Sequence, residues 1–442
     1  MVHYSTKATM IKKILLIIIL MVLFASYASA TDWYVRDGAT GAGNGTTRAD
    51  AWDNFSNIDW ASVGAEDTIY VDAGTYGTLS IGQSGTSAIA PTYIKKSTIA
   101  DHGDPTGWDD AYAATATITG FGGGSQGIYA SGRSYVVVDG QFADGFTIIM
   151  PANDSCSSTA YGVRITTASD NIILKYIKID GSADHEAGRG LYLAGTNFTI
   201  QNVWLAYFCN DPIQVLTGSG HVFDGIEIGP KQSSCVASAC CSGNLCHGDM
   251  VEIAYGGTTS NVTVKNSLFH YNADGIHFLG TGGSHDGWKI YNNIFTSSGG
   301  VKINSADPVV TNSLIYNNTF ISSAGIGPVY SVTFDIHNNL FYLPSAYGLD
   351  TGDNLTADTD PFVDAAGGNF QLKPTETTLI GQGTTLGSPY NVDKAGTARP
   401  DGAYDIGAYQ HTSGSTPGNM TMGSGTPNFF IGSGTPNVTF GN

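Results

Sequence analysis

An asparagine recurs at positions 266, 292, 317 and 338, at spacings of 26, 25 and 21 residues, each time inside the same short pattern. Val264-Lys265-Asn266-Ser267-Leu268-Phe269, Ile290-Tyr291-Asn292-Asn293-Ile294-Phe295, Ile315-Tyr316-Asn317-Asn318-Thr319-Phe320 and Ile336-His337-Asn338-Asn339-Leu340-Phe341 superimpose, and Ile200-Gln201-Asn202 is an earlier copy. Each unit holds short strands of alternating apolar residues bounded by Gly, Asn, Asp and Ser. A period this short cannot supply the blade of a propeller, which needs ~40 residues or more. It fits one coil of a parallel β-helix, in which like residues of successive coils stack ~4.8 Å apart. An asparagine at a fixed offset suits a tight turn, because its amide bonds the backbone and its stacked neighbours and because it tolerates left-handed geometry.

The composition agrees. Glycine supplies 58 of the 442 residues, and only 13% are charged. Coiled coils and helical bundles, which are built from Glu, Lys, Arg and Leu, are excluded, while 41% hydrophobic residues are enough for a packed core. Thirty-seven acids against 19 bases give a net charge of −18, the wrong sign for a nucleic-acid partner. An acidic polymer would need a local basic ladder or a bridging cation.

The ends differ from the middle. Lys12 and Lys13 precede an apolar run from Ile14 to Phe24, and Ala28-Ser29-Ala30 supplies a small-residue cleavage pattern. Residues 1–30 read as a secretory signal peptide cleaved after Ala30, with a secreted, extracellular or cell-surface destination. The run is too short to span a membrane, which takes ~20 residues, and no membrane span is expected. Cleavage removes three lysines and no acid from a charge of −18, leaving −21. A single β-helix domain is expected over 31–410, acting as a monomer, with a Cys-rich insertion at 231–247 and a Gly/Ser/Thr/Pro-rich tail over 411–442. Trp52, Phe55, Ile58 and Trp60 near the start are compatible with a short amphipathic helix covering the open end, since an uncovered edge invites aggregation.

These residues carry a resemblance. Asp67-Thr68-Ile69-Tyr70-Val71-Asp72-Ala73-Gly74-Thr75-Tyr76, the Asn-Asn-x-Phe coils and Asp405-Ile406-Gly407-Ala408-Tyr409 together resemble the secreted bacterial proteins of the pectin-lyase-like right-handed parallel β-helix superfamily. The resemblance covers roughly 31–410 and implies an all-β, single-stranded right-handed parallel β-helix, or solenoid, with a capped N-terminus. It also implies a range of activities: polysaccharide lyases, glycoside hydrolases, epimerases, and surface proteins without chemistry. Asn272-Ala273-Asp274-Gly275-Ile276 is similar to the Asn-Thr-Asp-Gly-Ile element of polygalacturonases, but the coil after it reads Gly299-Gly300-Val301-Lys302-Ile303, without that family's paired aspartates. Its Gly-His-Gly element and the Asp-Pro-His element of alginate epimerases are absent from the sequence.

Function must therefore come from the site. Val163-Arg164-Ile165, Leu191-Tyr192-Leu193, Ile213-Gln214-Val215, Val251-Glu252-Ile253, Ile276-His277-Phe278 and Val301-Lys302-Ile303 align as one strand of each coil. Their apolar flanks point inward and the middle residue points out. The outward column is Arg164, Tyr192, Gln214, Glu252, His277 and Lys302. A second column, three residues earlier, is Tyr161, Arg189, Asp211, Asp249, Asp274 and Gly299. Asp211, Asp249 and Asp274 thus stand on three consecutive coils, with Glu252, His277 and Lys302 beside them as the catalytic candidates. Arg164, Arg189, Tyr192 and Gln214 are candidates for substrate binding.

Carboxylates so close cannot all ionise without cost. Either one becomes a general acid, as in a glycoside hydrolase, or Asp211, Asp249 and Asp274 share a cation, with Ca²⁺ the expected ion. In the second case a lyase would act on a uronic-acid-containing extracellular polysaccharide, with Lys302, His277 or Arg189 removing the α-proton. The competing reading is a non-catalytic surface or matrix protein whose ladder is a solvated face. All six cysteines lie beyond the cleavage site, and disulfides are expected in an exported chain. Stacking Asp211 on Asp249 would bring Cys209 and Cys246 within disulfide reach, tying the insertion to the coils.

Overall fold

The computed structural model describes residues 30–411 apart from 120, 122–125, 152–159, 182–187, 209–210, 231–248, 254–256, 271–273, 279–282, 297–298, 304–308, 324, 328–333 and 345–352. The signal peptide, the Cys-rich insertion, Cys209, Cys246 and the tail lie outside the described residues or at their margin.

The chain winds into coils whose strands stack in four columns, the shortest of them Thr258–Ser260, Ser284–Asp286 and Val309–Thr311, which continues from Gly218 and Ser219. One face stacks Leu79–Ser80, Gln126–Ala130, Tyr161–Ile165, Arg189–Ala194, Ile213–Ser219, Asp249–Ile253, Asp274–Phe278 and Val301–Ile303, all parallel. A second stacks Val222–Asp224, Thr263–Lys265, Lys289–Tyr291, Ser313–Tyr316 and Phe334–His337. The third stacks Glu227–Ile228, Leu268–His270, Ile294–Thr296, Thr319–Ile321 and Leu340–Tyr342. Parallel crossovers of this kind take the right hand.

The asparagine ladder is the corner between the last two faces. Asn202, Asn266, Asn292, Asn317 and Asn338 all have φ between 52° and 57°, the left-handed region that asparagine tolerates. Val264, Ile290, Ile315 and Ile336 are in register beside them, as the repeat predicts. Asn338 Nδ2 donates to Asn317 Oδ1 at 3.0 Å. The neighbouring asparagine forms a second ladder on the core side. Asn293, Asn318 and Asn339 are fully buried, and each Nδ2 donates both to the next asparagine at 2.8–3.0 Å and to a strand carbonyl. These bonds satisfy backbone groups that the bend would otherwise leave bare. Three residues on from each corner asparagine, Phe269, Phe295, Phe320 and Phe341 stack at 4.8–5.0 Å with planes within 10°. That separation is the strand spacing itself.

Both ends are covered. At the start, Asp32–Val35 pairs with Thr68–Val71, and Trp52, Phe55, Ile58 and Val63 plug the core. The helical expectation there reduces to a single 3₁₀ turn, Phe55–Asn57, capped by the Asn54 side chain on Ser56 N–H. Arg48 and Asp72 form a buried ion pair at this end of the chain, with Ser97 Oγ donating to Asp72. At the far end, Ile406, Ala408 and Tyr409 pack on Ile294, Ile321 and Leu340. The segment leading to them lies along the asparagine corner, where Asn292 Nδ2 donates to Val392 O at 2.9 Å and Asn338 Nδ2 to Thr384 O at 2.9 Å.

Candidate functional site

The first face carries both predicted columns. Arg164 pairs with Tyr192, Tyr192 with Gln214, Gln214 with Glu252, Glu252 with His277 and His277 with Lys302, one residue per coil. Tyr161 pairs with Arg189, and Asp249 with Asp274. Their apolar neighbours Val163, Leu191, Ile213, Val251 and Ile276 are at most 1% exposed.

Strict alternation would put Asp249 and Glu252 on opposite sides of their strand. The chain avoids this by bending at the strand's start: Met250 and Val251, adjacent in sequence, are both buried in the core. Asp249 is thereby returned to the side of Glu252. The coil before has Pro212 at the Met250 position, while the coil after and the coil two before have glycine there. A Cβ at Gly190 would meet Leu205 Cδ2 at 2.2 Å, and one at Gly275 would meet Gly300 O at 1.8 Å.

Asp211, Asp249 and Glu252 converge, each offering a carboxylate oxygen within 4.8 Å of the others. Asp211 Oδ1 accepts the Asp249 backbone N–H at 3.1 Å, which locks the two coils together at this point. Gln214 Nε2 donates to Glu252 Oε1 at 2.7 Å, and His277 Nδ1 lies 3.0 Å from Asp249 Oδ1. Arg189 Nη2 stands 3.9 Å from Asp211 Oδ2. The group is not a solvated face: Asp249 is 0%, Asp211 1%, Glu252 5%, His277 5% and Gln214 7% exposed.

Burial holds the Asp211 carboxyl well above the usual carboxylate range, and the neighbouring Glu252 and then Asp249 push it further, with Arg189 opposing. The cluster therefore favours either a proton or a cation. Three carboxylates at this spacing fit a hard divalent ion, which takes 6–8 oxygen ligands and would complete its shell from substrate and water. The sequence expectation grouped Asp211 and Asp249 with Asp274. Glu252 joins the two aspartates, while the Asp274 side chain lies outside the described residues although its backbone is in register with Asp249.

Above the acids the face changes character. Arg164 Cζ lies 5.1 Å from the Tyr161 ring centroid and 5.5 Å from that of Tyr192, and the two rings meet edge-on at 4.9 Å. Lys302, half-buried, follows His277 on the opposite side of the acids. Tyr161 had a place in the second column but no assigned role. Its contact with Arg164 was hidden by strand alternation, which sets residues three apart on opposite sides.

The right handed beta helix region family model matches residues 189–359. No curated protein matches the sequence. Among solved structures, that of the pectate lyase Pel9A superposes with a TM-score of 0.60 at 16% identity, over 87% of this chain and 98% of that one. A rhamnogalacturonan lyase covers 78% of this chain and 94% of its own at 13% identity, with a TM-score of 0.47. At such identities the likeness is one of fold, and the fold is the right-handed parallel β-helix of the pectin-lyase-like type.

Proposed function

We propose that this right-handed β-helix protein is a polysaccharide lyase acting on an extracellular, uronic-acid-containing polymer. One observation carries the reading: three buried carboxylates, Asp211, Asp249 and Glu252, meet within 4.8 Å on a face whose next coils present His277 and Lys302. The likeness in fold to a structure titled as a pectate lyase is consistent with it.

Asp211, Asp249 and Glu252 would hold Ca²⁺, which when bound neutralises a uronate carboxylate and so acidifies the proton on the adjacent carbon. Lys302, one coil beyond His277, would accept that proton at Nζ. His277 is held through Nδ1 against Asp249, which fixes the ring's orientation. Gln214 does the same for Glu252. Arg189 and Arg164, on the coils preceding the acids, are cations for neighbouring uronates.

A second reading follows from the raised affinity of Asp211 for its proton, which suits the general acid of a glycoside hydrolase. The two differ in product. The mature protein should be incubated with polyuronates and with neutral polysaccharides, with Ca²⁺ and with a chelator. The lyase reading expects unsaturated, ultraviolet-absorbing ends that vanish with chelator and return with Ca²⁺. New reducing ends without unsaturation would establish the hydrolase, and binding without either product would leave a non-catalytic carbohydrate-binding protein.

A further inference from the structure

A cavity of about 780 Å³ opens on the same face, several coils nearer the N-terminus, lined among others by Asn54, Trp60, Ser80, Tyr129, Ser131 and Arg133. We propose that it is a distal binding site for the acidic polysaccharide whose reacting unit lies at Asp211, Asp249 and Glu252; the identity of that ligand rests on the reading above.

The register joins the two places. Ser80 pairs with Tyr129, Tyr129 with Arg164, Arg164 with Tyr192, Tyr192 with Gln214 and Gln214 with Glu252. From Tyr129 to Glu252 is four strand spacings, about 19 Å. A polymer of several sugar units laid along the coil axis therefore reaches the cavity while one unit sits at the acids. The surface between is cationic and aromatic, with Arg164 set against Tyr161 and Tyr192. This is the local basic ladder that a chain of net charge −18 needs in order to hold an acidic polymer.

The cavity has the features of a built sugar site. Trp60 and Tyr129 offer half-buried ring surface, and Asn54, Ser80 and Ser131 offer polar groups around it. Trp60 sits close because residue 82 is glycine: a Cβ there would lie 2.3 Å from the indole Cγ. Arg133 supplies the charge. Its side chain is half-buried on the cavity lining, where a guanidinium meets a carboxylate with charge-assisted hydrogen bonds. An apolar or neutral ligand would not need it.

The test uses Trp60→Ala and Arg133→Gln in the full mature protein, with size-fractionated oligogalacturonates and the trisaccharide as probes. Each variant should raise KM for long oligomers roughly tenfold, the effect of ~1.4 kcal/mol of lost binding. The kcat, and all constants on the trisaccharide, should stay at the wild-type value, because the lost contact is remote from the reacting bond. Thermal melting confirms that each variant folds, and Arg133→Gln carries the test if Trp60→Ala does not. Long oligomers should also quench tryptophan fluorescence in the wild type and do so less in Trp60→Ala. Unchanged long-oligomer constants in folded variants of an active enzyme would overturn the distal site and leave the lyase reading standing. Trp60-dependent binding without cleavage would keep the site and remove the lyase. No binding of any oligogalacturonate would overturn this proposal.

Discussion

His277 Nδ1 lies 3.0 Å from Asp249 Oδ1, although the two residues belong to different coils and neither is the other's register partner. The imidazole thus reaches diagonally back to the carboxylate at the centre of the acid cluster. Removing it in His277→Ala strips a partner from a carboxylate that is fully buried, which costs ~1–3 kcal/mol. Turnover should fall by a factor of roughly 10² or more, the scale of lost positioning or proton transfer. Steady-state rates and a thermal melt on the same preparation check both effects.

If Asp211, Asp249 and Glu252 hold a divalent ion, Ca²⁺ should raise the melting temperature of the wild type. At a concentration 100-fold above Kd the gain is about 2.7 kcal/mol. Asp211→Asn keeps the shape of the side chain and should abolish most of that gain. Equal stabilisation of wild type and Asp211→Asn by Ca²⁺ would place the ion elsewhere.

The asparagine corner predicts its own stability change. Asn292 has φ 56°, and its Nδ2 holds the Val392 carbonyl of the C-terminal segment. Asn292→Leu should cost ~1–3 kcal/mol from the lost hydrogen bonds. Denaturant titration measures this directly, and a neutral result would mean that the corner does not depend on the amide.

Acid should destabilise the fold through two core histidines. His221 and His285 are fully buried, and burial pulls each from 6.5 down to about 4. The folded state keeps them neutral while the unfolded chain protonates them. Their contribution is complete above pH 6.5 and is lost as pH falls towards 4. The loss is on the order of 3 kcal/mol per histidine at the acid end of that window. His285→Gln should flatten the dependence of stability on pH by about one proton there, measured by denaturant unfolding at several pH values. An unchanged slope would contradict the assignment.

Much of the site was legible because two periodicities coincide. The coil repeat aligned Val163, Leu191, Ile213, Val251, Ile276 and Val301, and the alternation within each strand then named the column from Arg164 to Lys302. The burial of Gln214, Glu252 and His277 in that column was not legible, since alternation says which way a side chain points and not what covers it. Glu252 was seen beside the acids but not as converging with Asp211 and Asp249, because the bend at Met250 that turns Asp249 towards it breaks the strand pattern. The inner ladder of Asn293, Asn318 and Asn339 was overlooked because Asn-Asn was read as one signal, whereas the two residues face opposite sides of the corner. Trp52, Phe55 and Ile58 have helical spacing, yet their burial comes from plugging the open coil. The distal cavity is lined by both Trp60 and Tyr129, a juxtaposition between coils that no local pattern announces.

If the buried acids form the catalytic site, Asp249 is its centre. Asp249→Asn keeps the side chain's shape and removes its charge, and Asp335→Asn, on another face of the coil, is the control. On a polyuronate that the wild type cleaves, initial rates of unsaturated-product formation should fall by roughly 10² or more in Asp249→Asn and stay near wild type in Asp335→Asn. A folded Asp249→Asn protein with the wild-type rate would contradict the account and put the chemistry elsewhere on the β-helix.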